Sequence, residues 1–257
     1  MNTRPSRHAW LWIGLLLGIN SMEVYSQEDT VPPFTLIFDT GTASPHPLPG
    51  ETLILRAGFN LVPEDALDYT FQGDAVFLND KIALVLRKNG TGAELYSRSL
   101  NSFTPRASFS PGGEHRFSKL NSIQISENTS NALAWKAVFA ASDESTASLS
   151  LALVLGQPFV HIQPGDNVPV LKLSSTCRFA VLPDFFADDM VIDARRFSLP
   201  QTDLPSENFF FQMLDNGNAI LMSVCSTRDQ DIQIELSGQD TQRVITGTNI
   251  PFGRDGE

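Results

Sequence analysis

Residues 148–155, SLSLALVL, are the stretch that decides the fold class. Leucine occupies every second position, with serine, alanine or valine in between. Because successive side chains of a strand point to opposite faces, this alternation predicts a strand with one buried face. Residues 122–126 (SIQIS) and 231–236 (DIQIEL) alternate in the same way. These segments favour a β protein over a helical one.

Three other apolar stretches are continuous: 34–38 (FTLIF), 52–57 (TLILRA) and 219–224 (AILMSV). Such runs are typical of strands that are covered on both faces. The dipeptide Asn216-Gly217 lies between two apolar runs and predicts a hairpin, because a type I′ turn needs positive φ at its central residues. Counting all segments of these kinds gives about sixteen strand candidates.

Residues 127–142 (ENTSNALAWKAVFAAS) are the best candidate for a helix, since they are rich in alanine and have Ser130 or Asn131 available as N-cap. The larger side chains from Leu133 to Phe139 alternate, however, and the neighbouring segments are strand-like. We therefore expect a strand here as well. The whole pattern predicts an all-β fold, a large antiparallel β-sandwich of two sheets.

The first 26 residues have the layout of a secretory signal peptide. Arg4 and Arg7 precede an uncharged apolar core at 9–19 (AWLWIGLLLGI), and the residues before Ser26 fit a cleavage site after it. This core is too short for a membrane span, and no later apolar run approaches the roughly 20 residues that a span needs. We expect residues 27–257 to form a single secreted or periplasmic domain.

The charge of the chain argues against nucleic acid and anionic membranes as partners. The formal net charge is −11, and loss of Arg4, Arg7 and Glu23 with the signal peptide makes it −12. Phosphate backbones and anionic lipid headgroups would be repelled by such a chain.

Cys177 and Cys225 are the only cysteines. One disulfide and two buried thiols remain alternative interpretations, because the sequence does not show whether the two cysteines are close. A structural zinc site would need histidines as well, and His46, His115 and His161 have no partner at ligand spacing.

The C-terminal residues 245–257 (ITGTNIPFGRDGE) contain turn residues and no evident closing strand. Two interpretations stay open. One is a flexible tail, and the other is an N-terminal fragment of a larger protein whose C-terminal domain is missing.

Four aspartates cluster in residues 181–193 (VLPDFFADDMVID), namely Asp184, Asp188, Asp189 and Asp193. The pattern favours a solvated turn between two strands. A calcium site is an alternative, because Ca²⁺ takes six to eight oxygen ligands and a turn could bring several carboxylates together. Their spacing is not that of an EF-hand loop. Paired carboxylates for glycoside hydrolysis are a further alternative.

Residues 77–99 (FLNDKIALVLRKNGTGAELYSRS) resemble the strand–turn–strand segments of the large super-sandwich domains of the galactose-mutarotase-like class. Residues 157–165 (QPFVHIQPG) are similar to a later core strand of such a domain. The class occurs in carbohydrate epimerases and in polysaccharide lyases and hydrolases, so the resemblance implies a carbohydrate context. The epimerases use histidines and a glutamate that His46, His115 and His161 do not match, and no catalytic residue carries over.

Sugar-binding sites commonly stack aromatic rings on the faces of pyranose rings. Trp135 is the best single candidate for such stacking, although its sequence neighbours favour a position in the hydrophobic core. His161 is a second candidate, on a strand or at its rim. These two residues are the predicted carbohydrate-binding residues.

Three hypotheses for function follow. The leading one is a secreted, carbohydrate-associated β-sandwich module that binds a polysaccharide without catalytic residues of its own, as the N-terminal part of a larger polysaccharide-processing protein. The second is a glycan lyase, hydrolase or epimerase with a carboxylate and histidine site in a cleft. The third is a structural or adhesive surface protein. Calcium is the one cofactor that the aspartates bring into consideration.

Overall fold

A computed structural model describes residues 34–113, 117–165, 168–182, 189–205, 209–225 and 230–252. These residues form eighteen strands, one short α-helix and three single 3₁₀ turns. The predicted all-β fold is therefore confirmed. No helix in the described ranges is long and apolar enough to cross a membrane.

The elements follow one another along the chain in this order: β1 (Leu36–Asp39), α1 (Gly50–Leu55), β2 (Asn60–Leu61), β3 (Ala75–Leu78), β4 (Ile82–Leu86), β5 (Ala93–Ser99), β6 (Ser102–Gly112), β7 (Phe117–Asn128), β8 (Ala132–Ala141), β9 (Thr146–Val154), β10 (His161–Pro164), β11 (Val170–Cys177), β12 (Phe179–Leu182), β13 (Met190–Asp193), β14 (Gln201–Leu204), β15 (Phe209–Leu214), β16 (Ala219–Val224), β17 (Ile232–Ser237) and β18 (Val244–Pro251). The 3₁₀ turns are Ala194–Arg196, Asp215–Gly217 and Asp240–Gln242.

The strands form three antiparallel sheets. The large sheet has ten strands in the order β14-β17-β18-β11-β6-β5-β4-β3-β1-β2. The first small sheet has the order β10-β9-β8-β7, and the second small sheet has the order β13-β12-β15-β16.

The two small sheets cover different halves of one face of the large sheet, here called its inner face. In the first half, Phe77 and Leu84 of the large sheet pack in one core with Leu133 and Trp135 of the first small sheet. In the second half, Phe210 of the second small sheet packs in another core with Ile232, Ile234 and Ile245 of the large sheet. The architecture is thus a β-sandwich, in which two short sheets cover one long sheet.

The opposite, outer face of the large sheet is covered only in part. Helix α1 and the segment around it close over β3, β4 and β5, where Leu53 packs with Val76, Val85 and Tyr96. Beyond this cover, no element of the described part of the chain packs over the outer sides of β6, β11, β18, β17 and β14.

The turn between β3 and β4 ties the large sheet to the first small sheet. The Asn79 side chain is fully buried, and its Nδ2 donates to the carbonyl oxygens of Val154 at 2.7 Å and Gln157 at 2.8 Å. Its Oδ1 accepts from the backbone N–H groups of Lys81 and Ile82. One buried amide therefore satisfies four backbone groups, which belong to β4, to β9 and to the segments just beside them.

The structure corrects the prediction of a strand at residues 52–57. These residues lie mostly within α1, where Leu53 is buried and Leu55 is 75% exposed. Pro49, just before the helix, has no N–H for strand pairing, and its fixed φ suits the entry to a helix. Arg56 adopts the left-handed conformation with φ 49° and ends the helix after one and a half turns.

The continuous apolar run at 219–224 is a strand, but it is not covered on both faces as predicted. It forms β16, the edge strand of the second small sheet, and alternate side chains are exposed. The exposed fractions are 65% for Ile220, 52% for Met222 and 64% for Val224. Composition alone predicts burial here, while the position at the sheet edge leaves one face open.

Two further predictions are confirmed, one of them with a change in detail. Residues 127–142 contain β8, a strand and not a helix. The hairpin at Asn216-Gly217 joins β15 to β16 through a four-residue loop, since Leu214 pairs with Ala219. Asp215, Asn216 and Gly217 all have positive φ there, so the loop is longer than a two-residue type I′ turn.

The absence of a strand near the C-terminus was a wrong prediction. Val244–Pro251 form β18, which lies between β17 and β11 inside the large sheet. The turn-like composition hides this strand, because residues such as Gly247 and Pro251 are rare within strands. A Cβ at Gly247 would lie 2.7 Å from Oε2 at the flexible end of the Glu235 side chain on the neighbouring strand.

Candidate functional site

A polar groove lies on the open part of the outer face of the large sheet. It crosses β14, β17, β18, β11, β6 and β5 and encloses a volume of about 1070 Å³. The alternation that predicts β17 also builds this groove. Ile232 and Ile234 point into the core, so Gln233 and Glu235 point outward.

One row of polar side chains crosses five adjacent strands of the groove, and we call it the polar row. Its members are paired from strand to strand in the order Asp203, Gln233, Asn249, Lys172 and Ser110. Nε2 of Gln233 donates to Oδ1 of Asp203 at 2.9 Å, and Nδ2 of Asn249 donates to Oε1 of Gln233 at 3.1 Å. These bonds fix the side chains relative to one another. Each amide retains further donor and acceptor capacity for a ligand.

A second row runs beside the first and is called the small-residue row. It follows the strand pairs from Glu235 through Gly247, Ser174 and Ser108 to Glu94. The three central residues are small, but only Ser174 and Ser108 line the cavity, because Gly247 is buried beneath the Glu235 side chain. A ligand chain could therefore approach the backbone of β11 and β6 closely.

The groove continues into a smaller adjoining cavity of about 460 Å³. The two cavities share Arg87, Glu94, Ser108 and Ser174. Arg106 and Asp215, which form an ion pair, line the far side of the smaller cavity.

Tyr96 lies beneath this end of the groove. Its hydroxyl is 3.0 Å from the Leu48 carbonyl oxygen and 3.0 Å from Oε2 of Glu94. Burial, followed by the charge of Glu94, raises the pKa of Tyr96. The phenol therefore stays protonated across the physiological range and holds the Glu94 carboxylate in place.

Among its described residues, the groove has more carboxylates than cations. The cations that the structure describes there are paired, Lys172 with Glu235 at 3.0 Å, Arg87 with Glu94, and Arg106 with Asp215. Asp203 and Asp231 add two further carboxylates to the lining. Negative ligands are therefore disfavoured at this surface.

The aromatic side chains among the described residues that line these cavities are Phe109, Phe117 and Tyr96. All three are buried in the hydrophobic cores. The groove thus offers hydrogen bonds and a polar floor, with no exposed ring from the described residues to stack on a sugar.

The two predicted carbohydrate-binding residues lie elsewhere, and the structure does not bring them together. Trp135 is 1% exposed and stacks on Phe77, with ring centroids 3.8 Å apart and an interplanar angle of 6°. This placement corrects the prediction, because the ring has no face free for a ligand. His161 is exposed on β10, an edge strand of the first small sheet, and packs edge-on against Phe159. Neither residue lines the groove.

Two of the four predicted calcium ligands lie among the described residues. Asp184 and Asp188 lie outside the described residues, and Asp189 is exposed. Asp193 binds the Arg178 guanidinium through two hydrogen bonds of 3.1 and 2.8 Å, which are the main reason that its pKa is lowered. In the described ranges, no three His, Cys, Asp or Glu side chains are grouped to hold a metal ion. Calcium binding by the four aspartates stays a prediction.

Cys177 and Cys225 are both buried and are not joined to each other by a disulfide. Cys177 packs in the core under the second small sheet, and Cys225 packs in the core under the first. Burial raises the pKa of the Cys177 thiol to about 11. This thiol is therefore protonated at neutral pH and poorly reactive.

The comparisons with known proteins give no family. The chain matches no model of a protein family, and a search of curated proteins finds no match either. The chemistry of the groove is therefore inferred from its own side chains.

Proposed function

We propose that the chain is a carbohydrate-binding β-sandwich module whose polar groove binds a neutral glycan chain outside the cytoplasm. The observation that carries the proposal is the polar row, which presents amide, carboxylate, ammonium and hydroxyl groups in register across five strands. Sugar hydroxyls both donate and accept hydrogen bonds, so a mixed row of this kind suits them.

The dimensions of the groove suit an extended ligand. Adjacent strands are about 4.8 Å apart, so a row across five strands extends about 19 Å. The smaller cavity prolongs this path past Arg106 and Asp215. A glycan chain lying across the strands could contact several polar residues at once.

The charges support a neutral glycan. The described residues of the groove include more carboxylates than cations, and the whole chain has a formal net charge of −11. A uronic acid or sulfated polymer would meet repulsion from both sources.

Binding without an exposed aromatic ring among the described residues should be weak. A net hydrogen bond contributes about 0.5–1.5 kcal/mol, and a few such bonds correspond to a dissociation constant on the order of 1 mM for a single site. Repeated glycan chains would raise the observed avidity above that of one site.

The proposal can be tested by glycan-array binding of the processed chain at neutral pH, with calcium and with a chelator. We expect signals on neutral polysaccharides in both conditions, because the described residues include no group of three His, Cys, Asp or Glu side chains that could hold a metal ion. Gln233→Ala and Asn249→Ala should each weaken the best interaction about 2- to 10-fold, measured by calorimetry, since each removes one or two hydrogen bonds.

Gln124→Ala and Gln163→Ala are matched controls, because both remove an exposed amide from the outer face of the first small sheet. They should leave the affinity unchanged. A folded sample that gives no glycan signal, or groove variants that bind as well as the wild type, would refute the proposal.

A further inference from the structure

The outer face of the second small sheet is apolar. Its strands alternate, so Ala180, Ile192 and Phe210 point into the core while the neighbouring residues point outward. Six outward residues define what we call the apolar face: Val181, Val191, Phe211, Ile220, Met222 and Val224. Four of these are more than half exposed, the exceptions being Val181 and Phe211.

The strand register shows that apolar side chains extend across the full width of this face. One row across all four strands consists of Val191, Val181, Phe211 and Met222, each paired with the next. No polar side chain interrupts the row. A face of this kind exposes contiguous apolar surface that a folded protein ordinarily covers.

The first small sheet provides an internal comparison. It lies on the same side of the large sheet, and its corresponding row across four strands is Gln124, Lys136, Ser150 and Gln163. The outer face of the first small sheet is therefore polar and compatible with exposure to solvent. The outer face of the second small sheet, by contrast, is apolar, as is typical of a contact surface.

The charge distribution favours a neutral, apolar partner surface. At the corner of the apolar face, Asp193 is neutralised by Arg178, whose guanidinium also lies 4.2 Å from the ring centroid of Phe179. The face itself carries no net charge, although the chain has a formal net charge of −11. A second copy of the face would place its six apolar side chains against the same six residues, with no charge among them.

The size of the face is adequate for a specific but modest contact. Four strands at about 4.8 Å and up to six residues at about 3.3 Å give a face about 20 Å on each side. Because the side chains project from it, two copies would bury on the order of 1,000 Å² in total, which is near the lower limit for a specific interface.

We propose that the apolar face is the contact surface of a two-fold symmetric homodimer, in which the second small sheets of two copies pack face to face. Sheets packed in this way lie about 10 Å apart, and a two-fold axis makes one face complementary to itself. With an interface of this size we expect a dissociation constant in the micromolar range.

Salt should strengthen the dimer. Each copy carries the same negative charge, and a higher ionic strength screens this repulsion while leaving the apolar contact intact. An interface built on ion pairs would weaken instead.

The test is sedimentation equilibrium of the processed chain from about 1 to 200 μM, at low and at high salt. We expect a concentration-dependent shift from monomer to dimer that grows with salt. This series needs no variant. A wild-type chain that stays monomeric throughout while remaining folded would overturn the proposal, and so would a monomer that instead co-sediments with phosphatidylcholine vesicles.

Met222→Lys places a charge on the exposed edge strand β16 and should weaken dimerisation at least 100-fold, with an unchanged circular dichroism spectrum. Gln124→Lys adds the same charge to the outer face of the first small sheet and should leave the dimer intact. If Met222→Lys does not fold, Ile220→Lys on the same strand serves instead. A folded variant at either position that dimerises like the wild type would contradict the proposed interface.

Discussion

Replacing Trp135 by alanine is expected to lower the free energy of unfolding by about 3–5 kcal/mol. The indole is 1% exposed and lies flat on Phe77 between the large sheet and the first small sheet. Its removal would leave a cavity between two sheets that neither backbone can close. Because domains of this size are ordinarily stable by about 5–15 kcal/mol, the variant would be close to unfolding.

Urea denaturation followed by circular dichroism measures this effect. Trp135→Phe is the informative companion, since it keeps a ring against Phe77 and removes an indole N–H that has no hydrogen-bond partner in the described structure. Trp135→Phe should lower the free energy of unfolding by less than about 2 kcal/mol. Phe159→Ala, at an exposed ring, should change stability by less than about 0.5 kcal/mol. A loss below about 1 kcal/mol for Trp135→Ala would contradict the core placement.

Asp39→Ala is expected to lower the free energy of unfolding by a similar amount, about 3–5 kcal/mol. The Asp39 carboxylate is fully buried at the end of β1 and accepts hydrogen bonds from the backbone N–H groups of Gly41, Gln72 and Gly73 and from the Tyr69 hydroxyl. Alanine would leave these four donors without their acceptor. Asp68→Ala, at an exposed carboxylate, is the matched control and should be nearly neutral.

The same carboxylate should make stability depend on pH. Burial by itself would raise the pKa of Asp39, but the hydrogen bonds from Gln72, Gly41, Gly73 and Tyr69 outweigh it and lower the pKa below the ordinary 3.8. A pKa that is lower in the folded state than in the unfolded state gives a stabilisation that is full above the unfolded pKa. It is lost as the pH falls through the folded pKa.

Denaturation of the wild type and of Asp39→Asn between pH 7 and pH 2 tests the direction of this pH dependence of stability. The difference in stability between the two proteins should be constant above about pH 5 and shrink steadily below pH 4. A difference that grows in acid would mean that the folded state raises the pKa of this carboxyl group.

Local alternation predicts much of the fold because it reports which side chains are buried. The pattern DIQIEL at 231–236 places Ile232 and Ile234 in a core and Gln233 on the surface, as the structure has them. The same logic places Trp135 in a core, since Leu133 and Ala137 lie on the same face of β8 and are buried too. An isolated tryptophan is thus a weak guide to a sugar site when its strand neighbours are all apolar.

The groove could not be predicted from the sequence, because it depends on which strands are neighbours. Lys172, Asp203, Gln233 and Asn249 belong to four strands, and nothing local to any one of them reveals the pairing. Each looks like an ordinary outward residue of a half-buried strand. Only the order β14-β17-β18-β11 joins them into one row.

The apolar runs show a second limit. The runs 52–57 and 219–224 look alike in composition, yet one lies mostly in helix α1 and the other is an exposed edge strand. Hydrophobicity reports that a segment has a partner, but it does not say whether that partner is the core or another molecule.

If the polar groove binds glycans, its amide side chains should respond when a glycan is added. A titration of the isotope-labelled processed chain with a neutral oligosaccharide, followed through the side-chain NH₂ signals in two-dimensional NMR, tests this. Progressive shifts are expected for Gln233 and Asn249, while Gln124 and Gln163 on the first small sheet stay fixed. Shifts confined to the first small sheet, or saturable binding that leaves Gln233 and Asn249 unmoved, would contradict glycan binding by the groove.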